Sequence, residues 1–147
     1  VRVGRIFNTY GPRMHPQDGR VVSNFIVQAL NGDDITIYGD GSQTRSFCYV
    51  GDMVQAMIKM MNLQQTPEMP VNLGNPSEIT IGSLAKSIVE IIGSDCNIRY
   101  LPLPVDDPKQ RQPNTDLAKQ LLKWEASTSL ATGLSYTIAY FRNLFEK

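Results

Sequence analysis

The sequence predicts an α/β fold whose sheet is at least partly parallel. Short runs rich in β-branched and aromatic residues alternate along the chain with segments whose apolar residues recur at helical spacing. Several of the helical segments are strongly apolar, which favours helices packed against a sheet. This alternation is typical of parallel strands joined by helical crossovers. A chain of 147 residues is long enough to form one domain with its own core.

The first third of the chain is predicted to hold three strands and a helix. Val1 to Phe7 is predicted to form a short, largely buried strand, which the Tyr10-Gly11-Pro12 turn interrupts. Apolar residues then recur at helical spacing from Val21 to Leu30, and Asn31-Gly32 provides the expected stop. Two further strands are predicted over residues 35–38 and 47–50, with a glycine-rich turn between them.

The remainder of the chain alternates in the same way. Asp52 is predicted to cap a helix that runs to Asn62, and apolar residues nearly encircle this helix, so most of it should be buried. Thr80 is predicted to cap a later helix that ends at Gly93. The other predicted elements are strands over 71–73 and 98–103, a charged loop over 106–113, a short helix near 117–124 and a terminal helix with Leu130, Leu134, Ile138, Phe141 and Phe145 on one face.

Composition and charge argue against several classes of function. The 14 basic and 14 acidic side chains cancel, so no long-range field would attract nucleic acid or an anionic membrane. No apolar run is long enough to predict a membrane-spanning helix, and no signal peptide is evident. Cys48 and Cys96 lie in apolar contexts and are predicted to be reduced, packed thiols. Because the chain begins at Val1 inside a strand-like run, we expect it to be a piece of a longer protein.

The arginines are the main sign of a binding site. Arg13, Arg20, Arg45 and Arg111 fall in predicted loops rich in glycine and proline, whereas most lysines fall on predicted helices. A guanidinium group is planar and permanently charged, and it suits the oxygens of a phosphate or carboxylate. These loops therefore indicate an anionic small molecule, for which a diphosphate is a good candidate. The alternative is that each arginine only ties down its own loop.

Other reactive side chains give weaker signals. His15 is the only histidine, and no carboxylates lie at a metal-ligand spacing, so no metal site is predicted. His15 is instead expected to donate a hydrogen bond to a ligand or to the backbone. A glycosidase pair made by Asp33/Asp34 and Asp106/Asp107 is rejected, because Asp33 and Asp34 fall in a turn exposed to water. Cys48 has no evident base to activate it and is expected to pack in the core.

Four longer stretches together resemble one enzyme family along essentially the whole chain. They are "RIFNTYGPRMHPQDGRVVSNFIVQAL", "YGDGSQTRSFCYVGDMV", "VNLGNPSEITI" and "DDPKQRQP". They are similar to the UDP-glucuronic acid decarboxylase branch of the extended short-chain dehydrogenase/reductase family. The shorter patterns "NxYGP", "YGxGxQxR" and a late Arg-x-Pro are shared by other sugar-nucleotide epimerases and dehydratases. The longer "GPRMHPQDGRVVSNFI" narrows the resemblance to the decarboxylases.

The resemblance implies that this chain is the C-terminal part of an NAD-binding Rossmann-like fold. Residues 1–9 and about 46–75 would be late Rossmann elements, and residues about 10–45 and 76–147 would mainly form the UDP-sugar-binding domain. The NAD-binding half, with its glycine-rich turn and Tyr-x-x-x-Lys pair, would lie upstream, so this chain alone is expected to be inactive. The complete protein would be a homodimer. It would be cytoplasmic in bacteria, whereas some eukaryotic members face the secretory lumen.

The resemblance also assigns roles to individual residues. The residues implied to contact the UDP-sugar are Asn8, Val22, Ser23, Asn24, Phe25, Ile26, Tyr38, Gln43, Arg45 and Arg111. Arg45 and Arg111 would hold the diphosphate, and Arg111 is also a candidate near the reacting sugar. Thr9, His15 and Arg20 would contact NAD or hold the loop beside it. These implied roles for Arg45 and Arg111 agree with the diphosphate inferred from arginine placement.

The implied reaction follows from the chemistry of the substrate. Oxidising C4 of the glucuronic acid makes a β-keto acid, and loss of carbon dioxide then leaves an enolate whose charge rests on oxygen. Protonation at C5 and return of the hydride would give UDP-xylose, so NAD is recycled in each turnover. The alternatives are a 4,6-dehydratase or 4-epimerase of the same extended family, or a sugar-nucleotide-binding fragment without activity of its own.

Overall fold

The fold is α/β, as the sequence predicts, and most of its strand pairs are parallel. A computed structural model describes residues 1–102 and 110–145, and for residues 110 and 111 it describes the backbone alone. The strands are β1 (Gly4–Ile6), β2 (Thr9–Tyr10), β3 (Ile35–Tyr38), β4 (Thr44–Ser46), β5 (Cys48–Tyr49), β6 (Val71–Leu73), β7 (Glu78–Thr80), β8 (Ile98–Leu101) and β9 (Gln110–Arg111). The helices are α1 (Val21–Asn31), α2 (Val50–Met61), α3 (Ile81–Ile92), α4 (Asp116–Leu122) and α5 (Leu130–Phe145).

The strands of the described residues form small sheets rather than one continuous sheet. The pairs β1–β6, β2–β5, β3–β8 and β4–β9 are parallel, and β4–β7 is antiparallel. Strand β4 therefore lies at the centre of the sheet β7-β4-β9. Its register places the backbone of Arg45 beside that of Arg111. Two arginines that are far apart in the sequence thus meet on neighbouring strands.

Local signals set the ends of two helices as predicted. The left-handed backbone of Gly32 (φ 76°) ends α1, and amides at this end return to the carbonyls of Gln28 and Ala29. The Thr80 hydroxyl accepts a hydrogen bond from the Ser83 amide at the start of α3, which ends at the left-handed Gly93. Both predictions are confirmed because each signal acts within one turn of its helix.

Three predictions near the second helix are wrong. The strand expected over 47–50 is shorter, because α2 already begins at Val50. Tyr49 rather than Asp52 is the N-cap residue, and Asp52 lies in the first turn. The helix is also less covered than its composition predicts, since Ile58 and Met61 are 52% and 72% exposed. The described elements contact only one side of this helix.

Strand β1 is exposed, although a largely buried strand was expected. It pairs with β6 along one edge, and the described neighbours of Gly4 are side-chain atoms of Met60 and Leu73. Val3 and Ile6 remain about half exposed as a result. An apolar run therefore predicts the strand but not the presence of a covering layer on both of its faces.

Two hydrophobic clusters form the interior. The first cluster joins α1, α3 and α5 with β3 and consists of Tyr10, Val22, Phe25, Ile26, Ala29, Ile35, Ile37, Phe47, Ile81, Leu84, Ala85, Ile88, Leu134, Ile138 and Phe141. The second cluster joins α2, α4 and β6 and consists of Cys48, Met53, Ala56, Met60, Val71, Leu73, Ala118, Leu122 and Trp124. Both cysteines are free thiols, and burial raises the pKa of Cys48 to about 12, so this thiol is inert at neutral pH.

Candidate functional site

Two adjoining clefts lie beside the N-terminal half of α1. We call the first the Tyr38 cleft; it measures about 680 Å³ and its lining includes Asn24, Phe25, Gln28, Thr36, Tyr38, Gln43 and Arg45. We call the second the Asn8 cleft; it measures about 580 Å³ and its lining includes Asn8, Thr9, Arg20, Val22, Arg45 and Phe47. Gly19, Val21 and Arg45 line both clefts. The two hollows therefore form one elongated site with Arg45 between its halves.

The Tyr38 cleft combines an aromatic surface with amide groups. Tyr38 is half exposed at the end of β3, and the Gln43 side-chain amide donates a hydrogen bond of 2.6 Å to its carbonyl. Behind it, Gln28 donates to the Thr36 hydroxyl (2.9 Å) and accepts from the Thr36 amide (3.2 Å). An aromatic face beside paired donors and acceptors can stack against and hydrogen-bond a planar heterocycle.

Arg45 lies on β4 at the junction of the clefts. Its Nη1 donates a hydrogen bond of 2.8 Å to the Thr44 carbonyl, which ties the guanidinium group to its own strand. The paired backbone of Arg111 brings a second arginine to the same sheet. A pair of arginines on adjacent strands is well suited to the charge of a diphosphate.

Asn8 combines an unusual backbone conformation with an unpaired polar group. Its φ of 20° lies at the edge of the left-handed region, between strands β1 and β2. Its Nδ2 atom is buried and has no hydrogen-bond partner among the residues that the structure describes. Buried donors without partners are costly, and such groups concentrate at sites where a ligand completes them. Asn8 is thus the clearest single indication of a ligand position in the Asn8 cleft.

Asp18 lies just before the start of α1 and holds the residues around it. The Asp18 carboxylate accepts hydrogen bonds from the Arg20 amide (3.0 Å) and from the Ser23 hydroxyl. The carboxylate places negative charge near the N-terminus of α1, which the helix dipole favours, although the N-cap residue Arg20 makes no side-chain capping bond to the amides of the first turn.

The structure brings most of the predicted site residues together. The following predicted residues line one or both clefts: Asn8, Thr9, Arg20, Val22, Asn24, Phe25, Tyr38, Gln43 and Arg45. Ser23 and Ile26 do not line either cleft, because both are fully buried on the inner side of α1. The geometry gives no support to a ligand contact by the Ser23 hydroxyl, which also donates to the Arg20 carbonyl. The side chain of Arg111 lies outside the described residues.

His15 lies outside the lining of both clefts. It is exposed, and its Nδ1 accepts a hydrogen bond of 3.1 Å from the Gln17 amide, so it helps to shape the 15–18 turn. Arg20 lies at the edge of the Asn8 cleft, where its guanidinium group approaches the Thr9 carbonyl at 3.4 Å and Asp18 at 3.6 Å. Thr9 and Arg20 are therefore neighbours at one end of this cleft. Their predicted role toward a cofactor stays a prediction.

Gln28 and Thr36 are among the lining residues that were not predicted from the sequence. Gln28 lies one turn after Asn24 on α1, so the polar spacing of four residues along the helix was a usable signal. Thr36 alternates with buried Ile35 and Ile37 on β3, and this alternation also marks it as facing a different surface. Among the described residues no cluster of histidine, cysteine, aspartate or glutamate is arranged to hold a metal ion.

Comparison with known proteins defines the class of this α/β chain. The family model described as "NAD dependent epimerase/dehydratase family" matches residues 1–74. The chain belongs to this family. It is similar to UDP-glucuronic acid decarboxylase 1 of Xenopus tropicalis, with 51% identity over 99% of the chain and 34% of that protein. It is also similar to UDP-glucuronic acid decarboxylase 6 of Arabidopsis thaliana, with 49% identity over 97% of the chain and 41% of that protein. The resemblance inferred from the motifs is confirmed.

Solved structures agree on the fold. The chain superposes on UDP-glucose 4-epimerase of Thermotoga maritima, determined with UDP-glucose, with a TM-score of 0.91 and 34% identity over 98% of the chain and 46% of that structure. It also superposes on UDP-glucuronic acid 4-epimerase of Bacillus cereus, determined with UDP-glucuronic acid and NAD, with a TM-score of 0.90 and 27% identity over 97% of the chain and 45% of that structure. The chain spans about a third to a half of the length of these four proteins.

Proposed function

We propose that this chain is the sugar-nucleotide-binding part of a UDP-glucuronic acid decarboxylase, which converts UDP-glucuronate to UDP-xylose and carbon dioxide. The similarity to decarboxylases over nearly the whole chain, at about half of all positions, carries this proposal. The joined clefts supply a physical basis, because they offer an aromatic end, a cationic middle and an end with an unpaired amide. This order of chemistry matches the uracil, diphosphate and sugar of the substrate.

In the proposed complex the Tyr38 cleft holds the uridine. The Tyr38 ring and the apolar edge of Phe25 provide the contact surface, while Asn24 and Gln43 border the uracil and ribose. Arg45 and Arg111 hold the diphosphate at the junction of the clefts. Charge-assisted hydrogen bonds of this kind are stronger than neutral ones, so these contacts would orient the whole substrate.

The sugar then occupies the Asn8 cleft. The unpaired Asn8 Nδ2 would donate a hydrogen bond to a sugar oxygen, which removes the cost of burying that group without a partner. Val22 and Phe47 provide an apolar wall and limit the water that reaches the ring. With both ends of the substrate held, the reacting carbons are kept in one orientation.

NAD is the proposed cofactor, and Thr9 and Arg20 are the residues of this chain placed to contact it. They are adjacent at one end of the Asn8 cleft, where a guanidinium group and a hydroxyl suit the polar parts of a dinucleotide. His15 would support this loop through its turn. When bound, NAD supplies reversible hydride removal at C4 of the sugar.

The proposed division of the chain follows from the same reading. Residues 1–9 and about 46–75 would be late elements of a Rossmann sheet, and residues about 10–45 and 76–147 would mainly form the sugar-nucleotide domain. The exposed β1 and the bare face of α2 support this division, because an upstream half would cover both. That half would contribute the glycine-rich turn and the Tyr-x-x-x-Lys pair. The complete protein would be a cytoplasmic homodimer.

Incubation of the complete protein with UDP-glucuronate and NAD tests the activity. The expected products are UDP-xylose and carbon dioxide in equal amounts, identified by chromatography and carbon dioxide release. A uronate epimer without carbon dioxide would favour a 4-epimerase instead, whereas a 4-keto-6-deoxy product from another sugar nucleotide would favour a dehydratase. Binding of UDP without any turnover would favour a module that only binds sugar nucleotides.

Arginine substitutions test the binding site independently of turnover. Arg45→Ala in the complete protein should weaken binding of UDP by about 10- to 100-fold, because hydrogen bonds to charged groups contribute roughly 1.5 to 3 kcal/mol. Arg111→Ala should have a similar effect. Arg142→Ala is the matched control, because its guanidinium group contacts the Ile92 carbonyl at the far end of α5. Unchanged affinity in Arg45→Ala, measured by calorimetric titration with UDP, would contradict the assignment.

A further inference from the structure

Helix α5 packs closely against the Tyr10 ring because Gly133 has no side chain. A Cβ atom on Gly133 would lie 2.1 Å from the Tyr10 hydroxyl oxygen, 2.8 Å from Cζ of the same ring and 3.0 Å from Cδ2 of Tyr49. All three distances are at or below the closest approach that real Cβ atoms make. Only glycine therefore allows the ring to occupy its present position against the helix.

The conformation of Gly133 does not by itself explain this glycine. The residue lies inside a 16-residue helix and does not have a positive φ. Glycine at such a position destabilises a helix by about 1 kcal/mol relative to alanine. Its presence is thus accounted for by the close approach of Tyr10 and not by a turn or a cap.

The Tyr10 ring is fixed from several sides. It is 2% exposed, and it makes edge contacts with Phe47 and Tyr49 at centroid distances of 6.3 and 5.9 Å. Its hydroxyl donates a long hydrogen bond of 3.4 Å to the carbonyl of Leu130, the first residue of α5. Burial raises the pKa of Tyr10, so the ring stays neutral and acts as a packing element.

The position of Tyr10 is transmitted directly to Asn8. Tyr10 and Thr9 form the short strand β2, which pairs with Cys48 and Tyr49 of β5. The same strand pair is extended by the Cys48 amide, which donates to the Asn8 carbonyl at 3.0 Å. A shift of the Tyr10 ring would therefore move the backbone that sets both the conformation of Asn8 and the direction of its unpaired amide.

We propose that Gly133 is a positioning residue that acts through Tyr10 to hold Asn8 in the Asn8 cleft. The inference rests on the proposed role of Asn8 as a sugar-nucleotide contact. The terminal helix contributes no residue to either cleft, yet the missing Cβ of Gly133 determines where β2 lies. Substrate placement thus depends on a helix that the substrate does not touch.

The test uses the complete protein and compares Gly133→Ala, Tyr10→Phe and the double variant. Two readouts are measured: kcat and KM for UDP-glucuronate, and the NMR signal of the Asn8 side-chain amide, assigned by its loss in Asn8→Ala. Gly133→Ala should raise KM by about tenfold and shift the Asn8 signal. The double variant should show a smaller change than Gly133→Ala, because the hydroxyl that the new Cβ meets is gone while Cζ remains close.

Gly82→Ala is the matched control for the added methyl group. It also lies in a helix, but its Cβ would meet only the Gly41 carbonyl group, with the oxygen at 3.4 Å and the carbon at 4.0 Å, so both readouts should match those of the parent protein. A lower Tm in Gly133→Ala with unchanged KM and an unchanged Asn8 signal would overturn the proposal. If Gly133→Ala does not fold, identical Asn8 signals in Tyr10→Phe and the double variant would overturn it. If the parent protein does not decarboxylate UDP-glucuronate, the proposed function fails, and the Asn8 signal still decides the role of Gly133.

Discussion

The two hydrophobic clusters of this molecule differ in how completely the described residues cover them. In the first cluster α1, α3 and α5 contact one another, and residues such as Ile26, Ile88 and Phe141 are fully buried. In the second cluster α2 buries Met53 and Ala56, but the opposite side of the helix is bare. The exposed apolar residues of this second region include Val3, Ile6, Val54, Met57, Ile58 and Met61.

The difference shows that similar helix compositions can lead to different environments. Helices α2 and α3 are both rich in apolar residues, but α3 contacts two helices and two strands, whereas α2 leaves an apolar groove of about 350 Å³ between Ile6, Met57 and Met61. Contiguous apolar surface of this kind normally marks a contact with another segment or chain. Under the proposed function, the upstream half would cover the groove on α2. The sugar-nucleotide clefts would still pack against the first cluster, which the described residues bury.

A matched pair of isoleucine substitutions tests this comparison most strongly. Ile88→Ala should lower the free energy of unfolding by about 2 to 5 kcal/mol, because Ile88 is fully buried between helices. Ile58→Ala should cost under about 1 kcal/mol in the 147-residue chain, since its side chain is half exposed. Urea unfolding of both variants measures the difference. Equal losses would mean that α2 is as well covered as α3.

Asp52 links the two regions, so its substitution tests whether they act as one unit. Its carboxylate is buried and accepts hydrogen bonds from the Ser127 amide (3.2 Å), the Ser127 hydroxyl (3.4 Å) and the Thr128 amide (2.9 Å). Asp52→Ala leaves these donors without their acceptor and should cost roughly 2 to 3 kcal/mol of stability. Asp52→Asn should cost less, because one side-chain oxygen remains to accept. Equal stability of Asp52→Ala and the parent protein, measured by urea unfolding, would show that this link contributes nothing.

Charged substitutions on α2 should have different effects in the 147-residue chain and in the complete protein. In the 147-residue chain, Met57→Lys with Met61→Lys should raise solubility and change stability by less than about 0.5 kcal/mol for each substitution, because both side chains are exposed. In the complete protein the same pair should be destabilising, since the proposed upstream half would bury the new charges. Thermal unfolding of both forms gives the comparison. The same small change in both would contradict an upstream cover on this face.

The smallest predicted effect concerns the Asp34 carboxylate, which lies at the surface beside the first cluster. The Asn97 amide, with Arg99 as a further partner, holds the pKa of Asp34 below its usual value of 3.8. A lowered folded-state pKa adds stability above the unfolded-state pKa, and that contribution disappears as the pH falls through the folded-state value. The difference in urea midpoint between the parent protein and Asp34→Asn should therefore be largest at neutral pH and vanish in strong acid. A difference that grows toward acid would contradict this assignment.

Sequence reasoning succeeded where the physical cause is local. Thr80 and Gly93 bound α3 because the cap hydroxyl and the left-handed glycine act within one turn. The resemblance also named Tyr38, Gln43 and Arg45; these residues line one cleft, and their roles toward a ligand stay predictions. Sequence reasoning failed for Asp52. An aspartate near the start of a helix is typical of a cap, but the hydrogen-bond donors of this carboxylate lie about 75 residues away in the chain.

The sequence by itself determined the class of fold, the ends of its best-capped helices and the chemistry available to its clefts. Those properties depend on backbone preference, on apolar periodicity and on which side chains carry charge. The tertiary structure alone decided that the backbone of Arg45 lies beside that of Arg111, that Asp52 accepts from Ser127 and Thr128 and that Gly133 accommodates Tyr10. These are contacts between segments separated in the chain, and they depend on how whole elements pack, which no local pattern encodes.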